Sequence, residues 1–262
     1  MSIKKYIIND FNELCDTIEC INNDVKKSIS DELITKTTLW YRGQANCEWS
    51  VIPSIQRDNR LSHEQVLSHS FYHGVRQISA EQIHRESYDK WVSMMQHYGL
   101  PTRLLDWSYS PLIALFFALN QYELYQNCDA CITIIVPELL NQKQGFDPFI
   151  YPIDSNSAMS MLKSAFIKPN HSTDKILACF SVSNDLRQYA QRSAFTIHDS
   201  MRSIHEICEY HFVYELFIPK TKKKHLKIVL ENLGITENFL FPDIDHVAKQ
   251  TIHRHLVFKK DI

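Results

Sequence analysis

Met95-Gln-His-Tyr-Gly-Leu-Pro-Thr-Arg-Leu-Leu-Asp-Trp-Ser-Tyr-Ser-Pro-Leu-Ile-Ala-Leu-Phe-Phe-Ala118 compresses a helix end, a glycine, two prolines and the start of a strongly apolar helix into one short span. His97, Tyr98, Arg103 and Asp106 are polar groups wedged between segments that read as core. A buried charge is costly unless it is paired or used, so this stretch is where a site is expected. Gly99 suits the position just past a helix end, Pro101 enforces extended backbone, and Ser110-Pro111 reads as a cap followed by a first-turn proline. The helix that follows, Leu112–Tyr122, is apolar nearly all round and is expected to be central and buried.

Upstream, Asp10-Phe-Asn-Glu13 is a capping box that opens an amphipathic helix over 10–27, with Phe11, Leu14, Cys15, Ile18 and Ile21 on the helical period. Thr38–Gly43 reads as a strand ending in a turn, and Trp49–Pro53 as a short extended partner. Ser62-His-Glu-Gln65 predicts a second capped helix to about residue 79, and Tyr88–His97 a third. Thr102–Asp106 is expected to be a short strand. Downstream, Ala130–Val136 reads as an interior strand ended by Pro137. Residues 138–174 read as irregular with one short helix near Ala158–Phe166. Strands are expected at Lys175–Val182, Ala194–His198 and His211–Pro219. Helices are expected at Asn184–Gln191, Lys220–Leu233 and Asp243–His255. With no internal repeat or linker, the simplest architecture is a single α+β domain over 1–262, its N-terminal helices packed on a mixed, mainly antiparallel sheet.

Composition narrows the chemistry. The 262 residues are 44% hydrophobic and 22% charged, with a net charge of −2, which gives no global drive toward nucleic acid or membrane. The N-terminus lacks the pattern of a leader, and the longest apolar runs are too short for a bilayer, so a cytoplasmic protein is expected. The seven cysteines then read as free thiols, with Cys128 and Cys131 as small core residues rather than half of a zinc site. His69 and His73, lacking the pattern of a metalloprotease motif, read as a solvated helix face, and no metal is expected. Only five glycines occur, never clustered, which argues against a P-loop or a dinucleotide-binding turn. Any nucleotide here must be gripped by side chains, foremost arginines.

Two separated stretches resemble the FRG domain family of bacteria and phages. Trp40-Tyr-Arg-Gly-Gln44 is similar to the Phe/Tyr-Arg-Gly signature. His97-Tyr-Gly-Leu-Pro-Thr-Arg-Leu-Leu-Asp-Trp-Ser108, with Pro111 and Ala114–Ala118, resembles the family's strongest motif. Gln191 and Phe195 resemble a Gln-x-Gly-x-Phe segment, with Ser193 where glycine is usual. Phe241-Pro-Asp-Ile-Asp245 resembles a closing Phe-Pro-Asp-x-Asp, with His246 where glycine is usual. These motifs run over about 38–250. The resemblance implies a fold neighbourhood and, by analogy alone, a toxin or phage-defence effector with an antitoxin or defence partner protein.

Arg42 and Arg103 each stand at a strand end beside a tight turn, where a guanidinium can grip phosphate in a fork. The favoured function is an ADP-ribosyltransferase-like enzyme that uses NAD, an expectation drawn from an early-strand arginine, the order of elements, and aromatic residues beside the arginines. The expected catalytic set is Arg42, His97, Arg103, Asp106 and Glu215. The expected nucleotide-binding set is Tyr41, Gln44, Tyr98, Thr102, Trp107 and Gln191. Breaking an N-glycosidic bond passes through an oxocarbenium-like state that a carboxylate stabilises. Glu215 on a late strand ranks first for that role, with Asp106, Asp243 and Asp245 behind it. The acceptor, protein or nucleic acid, is open. So is whether Arg103 and Asp106 face a ligand or each other. The alternatives are a non-catalytic module that binds a nucleotide, phosphate or nucleic-acid end, and a nuclease, which lacks a tight carboxylate cluster. The basic run Lys220, Lys222, Lys223 and Lys224 reads as a solvated face.

Overall fold

The computed structural model describes residues 3–29, 37–79, 83–168, 173–180, 189–207, 212–241, 248 and 251–252. One mixed, mainly antiparallel sheet carries the fold. Its strands are β1 (Lys4–Ile7), β2 (Trp40–Gln44), β3 (Leu104–Ser108), β4 (Ala130–Ile135), β5 (Tyr151–Pro152), β6 (Ile176–Phe180), β7 (Ser193–His198) and β8 (Val213–Ile218), in the spatial order β1-β8-β4-β2-β3-β7-β6-β5. Only the two edge pairs, β1 with β8 and β5 with β6, are parallel. The α+β single-domain expectation holds, with helices interleaved among the strands rather than gathered before them.

The first helix, α1 (Phe11–Ser28), forms as its capping box dictates. The Glu13 amide donates to Asp10 Oδ1 at 2.9 Å, and Glu13 in turn accepts from the Asn9 amide at 2.7 Å. Leu14, Ile21 and Val25 bury its apolar stripe in the main core. Helix α2 (Glu64–Ile78) is entered differently from expectation. A 3₁₀ segment, Ser54–His63, leads into it, and Ser62 donates to the Asn59 carbonyl instead of capping. That segment kinks at Asp58 and Asn59, two successive non-glycine residues with φ of 53° and 58°. Helix α3 (Tyr88–His97) runs as predicted and stops at Gly99, whose φ of +80° suits glycine.

Helix α4 (Pro111–Leu119) is buried through Ile113, Ala114, Leu115, Ala118 and Leu119. It lies directly on β2. A Cβ built on Gly43 would come 1.8 Å from the Ala114 carbonyl oxygen and 2.6 Å from the Ala118 amide nitrogen. The glycine after Arg42 is therefore a packing requirement, since no side chain fits between strand and helix.

Several elements differ from the sequence expectation. Trp49–Pro53 forms no strand, and β1 joins the sheet unannounced. Pro137 starts a helix, α5 (Pro137–Lys143), as well as ending β4. The one short helix expected near Ala158–Phe166 is, by contrast, present as α6 (Asn156–Lys163). The short α7 (Ile204–Ile207) precedes β8 unannounced, α8 (Lys220–Asn232) follows where a helix is expected, and the short α9 (Glu237–Leu240) comes after it. The basic run opening α8 is not uniformly solvated. Lys223 is fully buried, its Nζ donating to the carbonyls of Ala45, Tyr125 and Cys128 at 2.9, 2.8 and 3.2 Å. Desolvation holds its pKa below the usual lysine value. The helix expected at Asn184–Gln191 falls largely, and that at Asp243–His255 mostly, outside the described residues. No helix among the described residues is long and apolar enough to cross a membrane.

Candidate functional site

The site lies where the sheet comes apart. β2 pairs with β4 along its whole length, and β3 likewise with β7. β2 and β3, by contrast, share a single pair, Tyr41 with Ser108. Beyond it the two strands separate, and a cavity of about 240 Å³ occupies the gap. Tyr41, Arg42 and Gly43 form one wall and Asp106, Trp107 and Ser108 the other. Gln96 and His97 close it from the end of α3, Ala114 and Phe117 from α4, and Gln191, Ser193 and Phe195 from β7 and the residues before it.

Arg42 bridges the gap. Its Nη1 donates to the Asp106 carbonyl oxygen at 2.6 Å, standing in for a ladder bond that the separated strands do not make. That is its one hydrogen bond among the described residues, and its Nε is buried with no partner. Burial pulls the Arg42 pKa down to about 10, with Asp106 acting to raise it and Arg57 to lower it further. The Asp106 carboxylate is exposed to the cleft, and a relay from the strand's own entry holds it. The Thr102 hydroxyl donates to Gln96 Oε1, and Gln96 Nε2 donates to Asp106 Oδ2 at 2.7 Å.

Gln191 lines the cleft while its Nε2 donates to the Leu240 carbonyl at 3.2 Å, and its own carbonyl accepts from Ser108 Oγ at 2.7 Å. Phe241 reaches the same region, its ring 6.3 Å from that of Phe117. Tyr41 is buried, which pushes its phenol up to about 12.

Arg103 goes elsewhere. It pairs with neither Asp106 nor the cleft. Its Nε and Nη2 make a fork with Glu64 at 2.9 and 2.6 Å, and its Nη1 donates to Asp199 Oδ1 and to the Met161 carbonyl, both at 2.9 Å. Burial acts to lower its pKa, but Glu64 and Asp199 outweigh it and raise it. Strand parity explains the divergence: Arg103 and Asp106 are three residues apart, so they leave β3 on opposite faces. A separate cavity of about 660 Å³ adjoins this ion cluster, lined in part by Glu64, Arg103, His198 and Asp199.

Glu215 is likewise not brought to the cleft. It sits on an interior strand, nearly buried, with His205 Nε2 at 2.9 Å and Lys5 Nζ at 3.6 Å. Burial pushes its carboxyl up, and those two groups more than reverse it, leaving it below the usual range. Gln44 is buried outside the cleft, donating to the Trp49 carbonyl at 3.3 Å. Tyr98 is 68% exposed, stacked edge-on with His97 and beside Phe71, away from the cavity wall. Thr102 is buried and acts only through Gln96. Trp107 contributes wall, but it is nearly fully buried and its Nε1 donates to Thr196 Oγ1 at 2.9 Å, so it offers no open face for stacking. Asp243 and Asp245 lie outside the described residues. Among those residues no group of three or more His, Cys, Asp or Glu is arranged to hold a metal.

Three groups escaped the sequence. Gln96 lies inside the decisive stretch, yet nothing in its spacing marks it as the holder of Asp106. His198 lies in a buried chain with Thr196 Oγ1 at 2.9 Å. Burial, with the charges of Arg42 and Arg103, drives its pKa down to about 3. Arg57 stands just before the kink at Asp58, and its charge bears on both Arg42 and Asp106.

The family model described as the FRG domain matches residues 37–127, and the chain therefore carries an FRG domain in that span. It takes in β2, the Arg57 segment, α3, β3 and α4, and stops short of Gln191 and Phe241. No curated protein and no solved structure matches the chain.

Proposed function

We propose that the FRG domain of this chain cleaves NAD as an ADP-ribosyltransferase-like enzyme at the gap between β2 and β3. The observation that carries this is the gap itself. An under-used guanidinium, a held carboxylate and a histidine converge on a cavity of ring size, between strands that share a single ladder pair. The nicotinamide ring enters the cavity between the β2 and β3 walls. The bond between the ribose anomeric carbon and the pyridinium nitrogen breaks, and its electron pair leaves with nicotinamide. Asp106 faces the developing oxocarbenium charge in place of Glu215, and Arg42 holds phosphate. The acceptor, water or a protein or nucleic-acid nucleophile, bonds to the same carbon and gives up its proton, which His97 is placed to take.

Nicotinamide release by purified protein, followed by chromatography, tests this. The wild type is expected to release it. Asp106→Asn is expected to lose about 100-fold or more in rate while unfolding at the wild-type temperature. Intact NAD after prolonged incubation with protein and nucleic-acid acceptors would falsify the reaction. A second reading, a module that binds a nucleotide without turnover, gains from Glu215 being held away by His205 and Lys5. Calorimetric binding of NAD with no product supports it. A cytoplasmic toxin or defence role, with a cognate partner, rests on the family resemblance and predicts a growth defect on overexpression.

A further inference from the structure

We infer that Arg57 is a second anion-binding residue of this site and that, with Arg42, it defines a subsite for a diphosphate. The inference deepens the function proposed above and rests on that reading for the identity of the whole ligand. The diphosphate subsite stands on its own geometry.

The first support is the docking of the Arg57 segment. The Ile55 amide donates to the Thr102 carbonyl at 3.2 Å, and the Thr102 amide donates to Ser54 Oγ at 3.2 Å. Thr102 is the residue that holds Gln96, and Gln96 holds Asp106. The 3₁₀ segment is thus fastened to the start of the relay that ends at the cleft carboxylate. The second support is the kink. Asp58 and Asn59 both take left-handed backbone, uncommon for non-glycine residues, and turn the chain immediately after Arg57. Asp58 is paired with Arg60 at 2.7 Å, which leaves the Arg57 guanidinium to other partners.

The third support is what the two guanidinium groups leave unused. A guanidinium offers five N–H donors. Among the described residues Arg57 makes one hydrogen bond, Nη2 to the Ile52 carbonyl at 3.1 Å, and Arg42 also makes one. Both cations lie in the field of one carboxylate, Asp106, which acts to raise the pKa of each against the burial that lowers it, and Arg57 acts to lower that of Arg42 further. An anion carrying two charged groups relieves that imbalance, and two forks match it better than a single phosphate. Size points the same way. The cavity of about 240 Å³ falls below the roughly 300–1,000 Å³ usual for whole small-molecule ligands. A dinucleotide seated ring-first must carry its diphosphate out of the cavity. Arg57 does not line the cavity itself, yet it bears on Arg42 and Asp106 at its wall.

Calorimetric titration with inorganic pyrophosphate and with orthophosphate, at low and at raised salt, tests the subsite. Pyrophosphate is expected to bind the wild type, and to bind at least about tenfold more weakly to Arg57→Ala and to Arg42→Ala. Arg57→Lys should recover part of the loss, and the melting temperature of Arg57→Ala should stay at the wild-type value, which separates ligand binding from a packing role. Pyrophosphate that fails to bind the wild type, or binds Arg57→Ala equally well, overturns the inference. If pyrophosphate binding depends on Arg57 while NAD stays intact, the proposed reaction fails and the subsite stands. If NAD is cleaved with the same KM in Arg57→Ala, the subsite fails and the reaction stands.

Discussion

Among the described residues Arg103 makes four hydrogen bonds, two to Glu64, one to Asp199 and one to the Met161 carbonyl, whereas Arg42 makes one, to the Asp106 carbonyl. Both are motif arginines, Arg42 within β2 and Arg103 just before β3. The difference lies in what the neighbouring strands do. β3 and β7 pair along their length, so Arg103 meets a complete set of partners supplied by the fold. β2 and β3 part after a single pair, so Arg42 faces a gap. A guanidinium saturated by buried carboxylates is a fixture. One left under-used beside a cavity is poised for something the chain does not itself supply.

The comparison breaks if the two arginines respond alike to removal. Arg103→Ala leaves Glu64 and Asp199 buried without their cation, and is expected to cost about 3–5 kcal/mol in urea unfolding. The same truncation of Arg42 should cost only about 1 kcal/mol, the worth of one exchanged hydrogen bond. Equal losses would place both residues in packing. Gly43→Ala tests the frame around Arg42. Its Cβ would collide with backbone of α4 rather than with a flexible side chain, so a loss of about 1–3 kcal/mol is expected from thermal unfolding, together with loss of ligand binding as β2 is pushed off α4.

A pH effect also sharpens the comparison, because His198 lies in the field of both arginines. Its pKa falls from 6.5 in the unfolded chain to about 3 in the fold. Between those values the unfolded state binds a proton that the native state does not, so stability is complete above pH 6.5 and declines as pH falls toward 3. The slope from this group is at most about 1.4 kcal/mol per pH unit. His198→Gln should flatten the difference between stabilities measured at pH 7 and pH 5. An unchanged slope would mean that the imidazole does not stay neutral between the two guanidinium groups.

Local chemistry made much of this legible. The Asp10–Glu13 box, the Gly99 stop and the apolar run after Pro111 each name their own structure through bonds or sterics within a few residues, and those helices lie where expected. The FRG-like stretches led to Arg42, His97, Asp106 and Gln191, which do converge. Glu215, Gln44, Tyr98 and Thr102 do not line the cavity, because chain order says nothing about which face of which strand a side chain leaves from. Lys223 was hidden for a related reason. A lysine amid lysines gives no sign that three carbonyls from distant loops will enclose its ammonium.

The sequence by itself determined the elements whose causes are local, together with the glycine poverty that leaves any phosphate to side chains. It also pointed to the stretch that supplies one wall of the candidate cleft. Only the tertiary structure decided that the sheet parts between β2 and β3, that Arg103 is spent on Glu64 and Asp199, and that the charge of Arg57 bears on Arg42. The physical reason is that strand pairing and burial of charge are settled between residues far apart in the chain. A guanidinium takes whichever carboxylates the finished sheet sets before it.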